Sequence, residues 1–330
     1  MRNTARERLL AALLRLEPCA PPRLECEFSE EIVQEWRAAG HLDDRTPEAF
    51  FGIESGGEMP VAWRRISEEE DVLTDAARLE ALRRAYDPDD PRRFPQDWES
   101  RCQAWRDRDG ILWAAPWNEG FFQVIGIADG ATLNAALIAL RERPALAEAA
   151  MDHYADFLIR LIDRAFSGVL PDYVELYEPI ACNCAPVIAP ADYARFVQPA
   201  LRRICDHLER RGAGLRVMWS AGAVGDLVPL WLDAGVNGLA LNQCGVAGIQ
   251  YSALRRRFGR ELRLIGGIDW RVVQAGPQAI DRYLEHEVRP LLESGGCAPH
   301  LDDTIRPGMP FDHFAHYRRR LDAMVESMFA

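Results

Sequence analysis

The run YVELYEPIACNCAPVIAP, residues 173–190, gathers two acids and two thiols, Glu175, Glu178, Cys182 and Cys184, at the end of an apolar stretch. Three chemistries use such groups: metal ligation, dithiol exchange, and proton transfer by a carboxyl. A tetrahedral zinc site takes four ligands, or three with one position open. Cys182 and Cys184 supply two, at a spacing shorter than C-x2-C, and Cys297, His300 or Glu178 would have to complete the set. A disulfide between the pair closes a small ring under strain. The sulfurs are therefore expected to pack at a pocket mouth without a metal, while the neighbouring acid carries the chemistry. Alternation along a strand puts Val174 and Leu176 on one face and Glu175 and Tyr177 on the other. Glu178, at the edge where register is lost, is the preferred catalytic candidate.

A second set closes the last apolar run, CAPHLDDTIRP, with His300, Asp302, Asp303 and Arg306. Together with Glu178, these oxygens and the imidazole could ligate a hard cation. As closely placed carboxyls they could instead raise one another's pKa for acid–base work. The plainer reading has Asp302 capping a turn and Asp303 pairing with Arg306. Other apolar runs end in the same way: Trp113, Trp117, Asn118 and Glu119 in ILWAAPWNE, Trp219 and Ser220 in LRVMWS, Asn242 and Gln243 in GLALNQC, and Asp269 in LRLIGGID. Buried polar groups must find partners, so a series of such tips marks a pocket. The expected catalytic residues are Glu178, Asp302, Asp303 and His300. The expected substrate-binding residues are Trp113, Trp117, Trp219, Ser220, Asn242, Gln243, Asp269 and Arg306, and no metal ligand is expected.

These tips need elements to hold them. From residue 111 onward, short β-rich runs alternate with helical patterns, as parallel strands covered by helices do. No G-x-G-x-x-G turn marks a dinucleotide crevice. The rhythm predicts an α/β fold, a single (β/α)8 TIM barrel spanning residues 1–330, with reactive groups at the C-terminal ends of its strands. Leu9, Leu10, Leu13 and Leu14 predict an N-terminal helix over 4–16, and PPRLECEF (21–28) a short strand. The charged, proline-punctuated segment 67–110 reads as a surface excursion.

Composition removes several functions. The net charge of −12 argues against nucleic acid or an anionic membrane as partner. All 39 basic residues are arginine, which excludes Schiff-base chemistry, lysine-bound pyridoxal phosphate and the P-loop lysine. Eight cysteines lie scattered, as free thiols of a reducing compartment would. No run of about 18 apolar residues or signal-peptide pattern occurs, so a cytoplasmic protein is expected. Monomer and homodimer both remain open.

Several of these motifs resemble the uroporphyrinogen decarboxylase superfamily, (β/α)8 proteins that include tetrapyrrole decarboxylases and corrinoid-linked methyltransferases. The resemblance rests on RERLLAALLRLEP, FFGIE, DPDDPRRFPQDWE, CAPVIAPADYARFVQPALRRI, LVPLWLDAGVNGL, LRLIGGIDWRVV and PHLDDTIRPGMPFDHFAHY. It covers nearly the whole chain, and GGID with the later proline-rich turn is its most specific part. The departures carry information too. Where the decarboxylase has an arginine-rich loop for substrate carboxylates, this chain has CAPPRLECEF, with only Arg23. Where the branch has a late histidine after an aspartate, this chain has Asp303. The zinc methyltransferases use an H-x-C pair after strand five, whereas MWSAG offers no ligand, so their thiol-zinc site is not expected. The resemblance implies methyl transfer or demethylation of a small molecule, with a corrinoid protein as partner and no tightly bound cofactor. Its alternatives are decarboxylation of a tetrapyrrole or smaller acid, and a non-catalytic ligand-binding relative. The acids Glu178, Asp269, Asp302 and Asp303 outnumber Arg306 and Arg23, which suits a neutral or cationic substrate, with Trp113, Trp117 and Trp219 able to face a methylammonium group.

Overall fold

The computed structural model describes residues 4–66 and 72–330. Seven parallel strands follow one another in sequence order across a single curled sheet: β1 (Gly57–Glu58), β2 (Leu112–Asn118), β3 (Tyr173–Tyr177), β4 (Arg216–Ala221), β5 (Gly238–Asn242), β6 (Arg263–Ile265) and β7 (Cys297–Ala298). Helices connect them, as parallel pairing requires. The architecture is α/β and TIM-barrel-like.

An eight-stranded barrel was the expectation, and among the described residues seven strands form. Residues 21–28 lie between the two ends of the sheet but register a single bridge, Phe28 with Ile305. The Arg23 carbonyl accepts from the Glu54 N–H at 2.9 Å, and the Glu27 carbonyl accepts from the Ile305 N–H at 2.8 Å. Pro21 and Pro22 bring no N–H donors, and the Leu301 N–H goes to the Glu25 side chain at 2.9 Å. The ladder is therefore interrupted at this point.

The sheet divides two apolar populations. Outside it, Val174, Leu176, Met218, Leu239 and Leu264 pack against helices, including the long helix Pro144–Ala165. Inside it, Val217, Ala240, Ile265 and Ala298 meet Leu9 and Leu13 of the N-terminal helix, with Tyr173 and Trp219 packed against them. Thr4 starts that helix through a capping box with Glu7.

Of the expected surface excursion, residues 67–71 lie outside the described residues. The rest forms helices Ala76–Ala85 and Trp98–Arg106 outside the sheet, tied down by a group that composition disguised. Arg93 is fully buried. Its guanidinium donates to the carbonyls of Asp87 (3.0 Å), Ala62 (2.6 Å), Ala85 (2.9 Å) and Arg64, and lies over the Phe157 ring at 4.6 Å. A buried charge persists only when its donors are satisfied; four carbonyls and a ring face do that here.

Candidate functional site

Glu175 in β3 and Glu178 just after it part company at the sheet. Glu175 pairs in register with Val217, and Tyr177 with Trp219, so Glu175 shares the inner face with Val217, Tyr173 and Trp219. Trp113 stacks on Tyr173 on the same face, with ring centroids 6.2 Å apart. Burial pushes the Glu175 carboxyl up to about 8, and the charge of Glu58 at the end of β1 pushes in the same direction. No hydrogen bond to a described residue offsets these effects. Glu58 is itself open to solvent. The inner face therefore presents a protonated carboxyl among the aromatic rings of Trp113, Tyr173, Tyr177 and Trp219.

Glu178, the preferred candidate from sequence, lies elsewhere. It is fully buried; Trp117 Nε1–H donates to its Oε2 at 2.6 Å and the Phe121 N–H does so at 3.2 Å. Tyr154 stands edge-on to Trp117, centroids 5.5 Å apart. Burial carries the Glu178 carboxyl up to about 8 despite both hydrogen bonds, and Oε1 has no partner among the described residues. Trp117 belongs to the outer core because β2 slips register between Ala114 and Trp117, a bulge that re-aims side chains. Its indole requires glycine at 120, where a Cβ would lie 2.4 Å from the ring. Trp117 is thus packed in the outer core, and Glu178 is its partner.

The remaining tips form a rim. Asp302 Oδ1 accepts from the Trp270 N–H (2.9 Å), and Oδ2 accepts from the Gly245 N–H (3.2 Å) and the Cys244 thiol (3.3 Å). Asp303 accepts from Gln243 Nε2 (3.1 Å) and Arg306 Nη2 (2.9 Å). Asp269 caps the helix Trp270–Gln274 and pairs with Arg271 at 2.7 Å. The structure thus joins Gln243, Asp302, Asp303 and Arg306, but as braces between loops, in line with the plainer reading of Asp302 and Asp303. Ser220, fully buried, donates to the Glu178 carbonyl at 2.6 Å. Asn242, at the tip of β5, takes the Gly222 N–H on its carbonyl at 3.2 Å.

His300 does not meet Asp302 or Asp303 through any hydrogen bond among the described residues. Its Nδ1 donates to the Leu301 carbonyl at 2.7 Å and lies 3.5 Å from the Cys26 sulfur. Glu178, Asp302, Asp303 and His300, which together could have ligated a hard cation, are not brought together among the described residues. Among the described residues the one group of three close ligand atoms is Glu25, Cys26 and His300. Glu25 is already held by Arg318 at 3.1 Å and by the N–H groups of Cys26 and Leu301, so a cation would compete with a buried guanidinium. Nor does the tip of β4, with Trp219, Ser220 and Ala221, offer a histidine or thiol for the zinc of the methyltransferases. The residues present do not fit that metal.

Sequence reasoning missed Glu58, Tyr173, Tyr177 and Arg64. The shared parity of Tyr173, Glu175 and Tyr177 was the available signal. Arg64, which reaches Asn118 and Glu119, both at 2.9 Å, had none. Arg23 donates to the Phe51 carbonyl at 2.9 Å and to Asp322 at 2.5 Å; it lines a cleft of about 860 Å³ that includes none of the strand-tip residues.

A curled parallel sheet with aromatic and acidic side chains on its inner face and polar residues at its strand tips belongs to the TIM-barrel-like class. The sequence model of the uroporphyrinogen decarboxylase (URO-D) family matches residues 121–315, and the chain belongs to that family. A uroporphyrinogen decarboxylase from Arthrobacter sp. (strain FB24) is 34% identical over 124 residues, 36% of this chain and 32% of the relative. The match therefore spans about a third of that relative's length. A methyltransferase from Methanosarcina mazei superposes with a TM-score of 0.59 at 16% identity, covering 100% of both chains, a likeness of fold. No helix among the described residues is long and apolar enough to cross a membrane.

Proposed function

We propose that the chain removes a methyl group from a small neutral or cationic methylated molecule, passing it to a corrinoid carried by a partner protein. The observation that carries this reading is the inner face: a neutral Glu175 surrounded by Trp113, Tyr173, Tyr177 and Trp219. Aromatic faces attract a methylammonium group and cover a methoxy group equally well. With a methoxylated substrate, the C–O bond pair stays on the oxygen as the methyl leaves, and Glu175 donates its proton there. A carboxyl ionising near neutrality is matched to that task.

The charges at the rim support the same choice. Arg64 is paired with Glu119, Arg271 with Asp269 and Arg306 with Asp303, so the cations at the strand tips are already committed to acids. A tetrapyrrole bearing many carboxylates would need free cations, since each unpaired carboxylate entering a low-dielectric site costs several kcal/mol. Decarboxylation, the second reading, takes its support from the family name and is opposed by this balance. The corrinoid acceptor follows from the superfamily, and no residue of this chain is assigned to hold it.

Calorimetric titration tests the proposal. Tetramethylammonium, betaine-like or methoxylated aromatic ligands should bind, and Trp219→Ala should weaken them by about tenfold, the loss of one desolvated aromatic contact. Uroporphyrin should not bind. Micromolar uroporphyrin binding that weakens on Arg306→Ala would reverse the assignment in favour of decarboxylation.

A further inference from the structure

Beyond β3 the chain makes a tight loop that holds Cys182 and Cys184 on the surface. Ala181 and Pro186 form an antiparallel bridge, and the Cys182 N–H donates to the Ala185 carbonyl at 3.0 Å. A second contact pins the loop to the connection after β4, where the Ala223 N–H donates to the Cys182 carbonyl at 2.8 Å. Gly222, at φ +78°, lets the two loops close; a Cβ there would lie 2.5 Å from the Cys182 oxygen. Both thiols are exposed, whereas Cys26, Cys102, Cys205, Cys244 and Cys297 are buried. The sulfurs of Cys182 and Cys184 lie 2.9 Å apart.

We infer that Cys182 and Cys184 form a dithiol that exchanges with low-molecular-weight aliphatic disulfides, Cys182 attacking and Cys184 resolving. The Cys182 thiolate attacks one sulfur of the small disulfide, whose S–S bond breaks and releases one thiol after proton uptake. Cys184 then loses its proton and attacks the Cys182 sulfur, expelling the second thiol and closing the protein disulfide. One small disulfide is reduced to two thiols, and the protein gives up two electrons and two protons.

Three features support the assignment of roles. The Cys184 thiol, with the backbone of Cys184 and Ala185, brings the Cys182 pKa down to about 7, while the same pairing raises Cys184; as a thiol, Cys182 donates to the Ala185 carbonyl at 3.3 Å. A thiol that ionises near ambient pH is the best attacker. The spacing also favours sulfur over a metal. Two thiolates on a tetrahedral zinc with bonds of about 2.3 Å stand about 3.8 Å apart, and no third ligand atom joins the pair among the described residues. A C-x-C disulfide closes a small ring under strain, and a strained exposed disulfide is easily reduced. The exchange is therefore reversible.

At pH 7 a thiol with a pKa of about 7 is roughly half ionised, against about 1% for an ordinary thiol near 9. Lower intrinsic nucleophilicity removes about tenfold of that advantage, leaving about fivefold. The experiment treats the full, reduced chain with glutathione disulfide and cleaves after arginine. The peptide 165–195 then carries Cys182 and Cys184 and no other cysteine. Wild type should yield this peptide short of two hydrogens and free of glutathione, and dithiothreitol should restore it. Cys184→Ser should retain glutathione on Cys182, and Cys182→Ser should react about fivefold more slowly. The inference is overturned by glutathione retained on the wild-type peptide, by equal rates in wild type and Cys182→Ser, or by stoichiometric zinc that shields both thiols.

Discussion

Glu175 and Glu178 lie three positions apart on one strand run, and both ionise only at about 8, yet they face different worlds. Glu178 sits behind the sheet with its carboxyl taken by Trp117 and the Phe121 amide. Glu175 sits before it, among rings and close to the solvent-open Glu58. A raised carboxyl pKa is thus shared by a core brace and a candidate acid, and the value alone does not distinguish them. Access and hydrogen bonding do. Glu178 is fully buried and held by two hydrogen bonds, whereas Glu175, also buried, turns to the inner face, the side from which a proton could be used.

The largest expected effect tests this division directly. With a methylated substrate turned over by the chain, Glu175→Gln should lower turnover by about 10²- to 10⁴-fold, the range for losing a positioned general acid. Glu178→Gln should leave it within a few-fold. Steady-state rates of the two variants decide it, and the reverse order would move the chemistry behind the sheet.

Next in size is the stability contrast between two tryptophans once grouped together. Trp117 is fully buried, so Trp117→Ala should cost about 3–5 kcal/mol. Trp219 is half-buried on the inner face, and Trp219→Ala should cost clearly less while weakening ligand binding. Denaturant midpoints measure both, and equal losses would place Trp219 in the core.

A smaller effect follows from pH. An unperturbed glutamate ionises at about 4.3, so between there and about 8 the folded chain binds more protons than the unfolded one. Stability therefore falls as pH rises through this window, by up to about 1.4 kcal/mol per pH unit for each carboxyl, and levels off above it. Glu178→Gln removes one of the two contributions and should make the fall between pH 5 and 8 shallower. An unchanged slope in thermal or denaturant unfolding would mean that Glu178 is already ionised in the folded chain.

Much of this arrangement was legible from residues. The alternation of Val174 and Leu176 against Glu175 and Tyr177 holds in the structure. It did not reveal which face turns inward, because a parallel sheet covered on both sides is apolar on both. The same ambiguity hid the place of Trp117, whose orientation depends on a register slip at Ala114 that no local pattern announces. Asp302 and Asp303 read as tips and are tips, but sequence cannot tell a side chain that braces loops from one that waits for a ligand. In 72–110 the charged composition concealed Arg93, since only the fold brings the Ala62, Arg64, Ala85 and Asp87 carbonyls around one guanidinium.

The smallest effect is also the finest test of the division by strand face. Ser220 was expected to bind substrate, but its hydroxyl is fully buried and donates to the Glu178 carbonyl at 2.6 Å. It ties the tip of β4 to the residue after β3, behind the rings that line the inner face. Ser220→Ala removes one of two donors to the Glu178 carbonyl, which keeps the Ile180 N–H at 2.9 Å, a change worth about 1 kcal/mol. The midpoint of unfolding should shift by that amount while calorimetric affinity for a methylated ligand stays the same. A tenfold loss of affinity with unchanged stability would instead put Ser220 on the ligand side, and the boundary drawn between Glu175 and Glu178 would have to move with it.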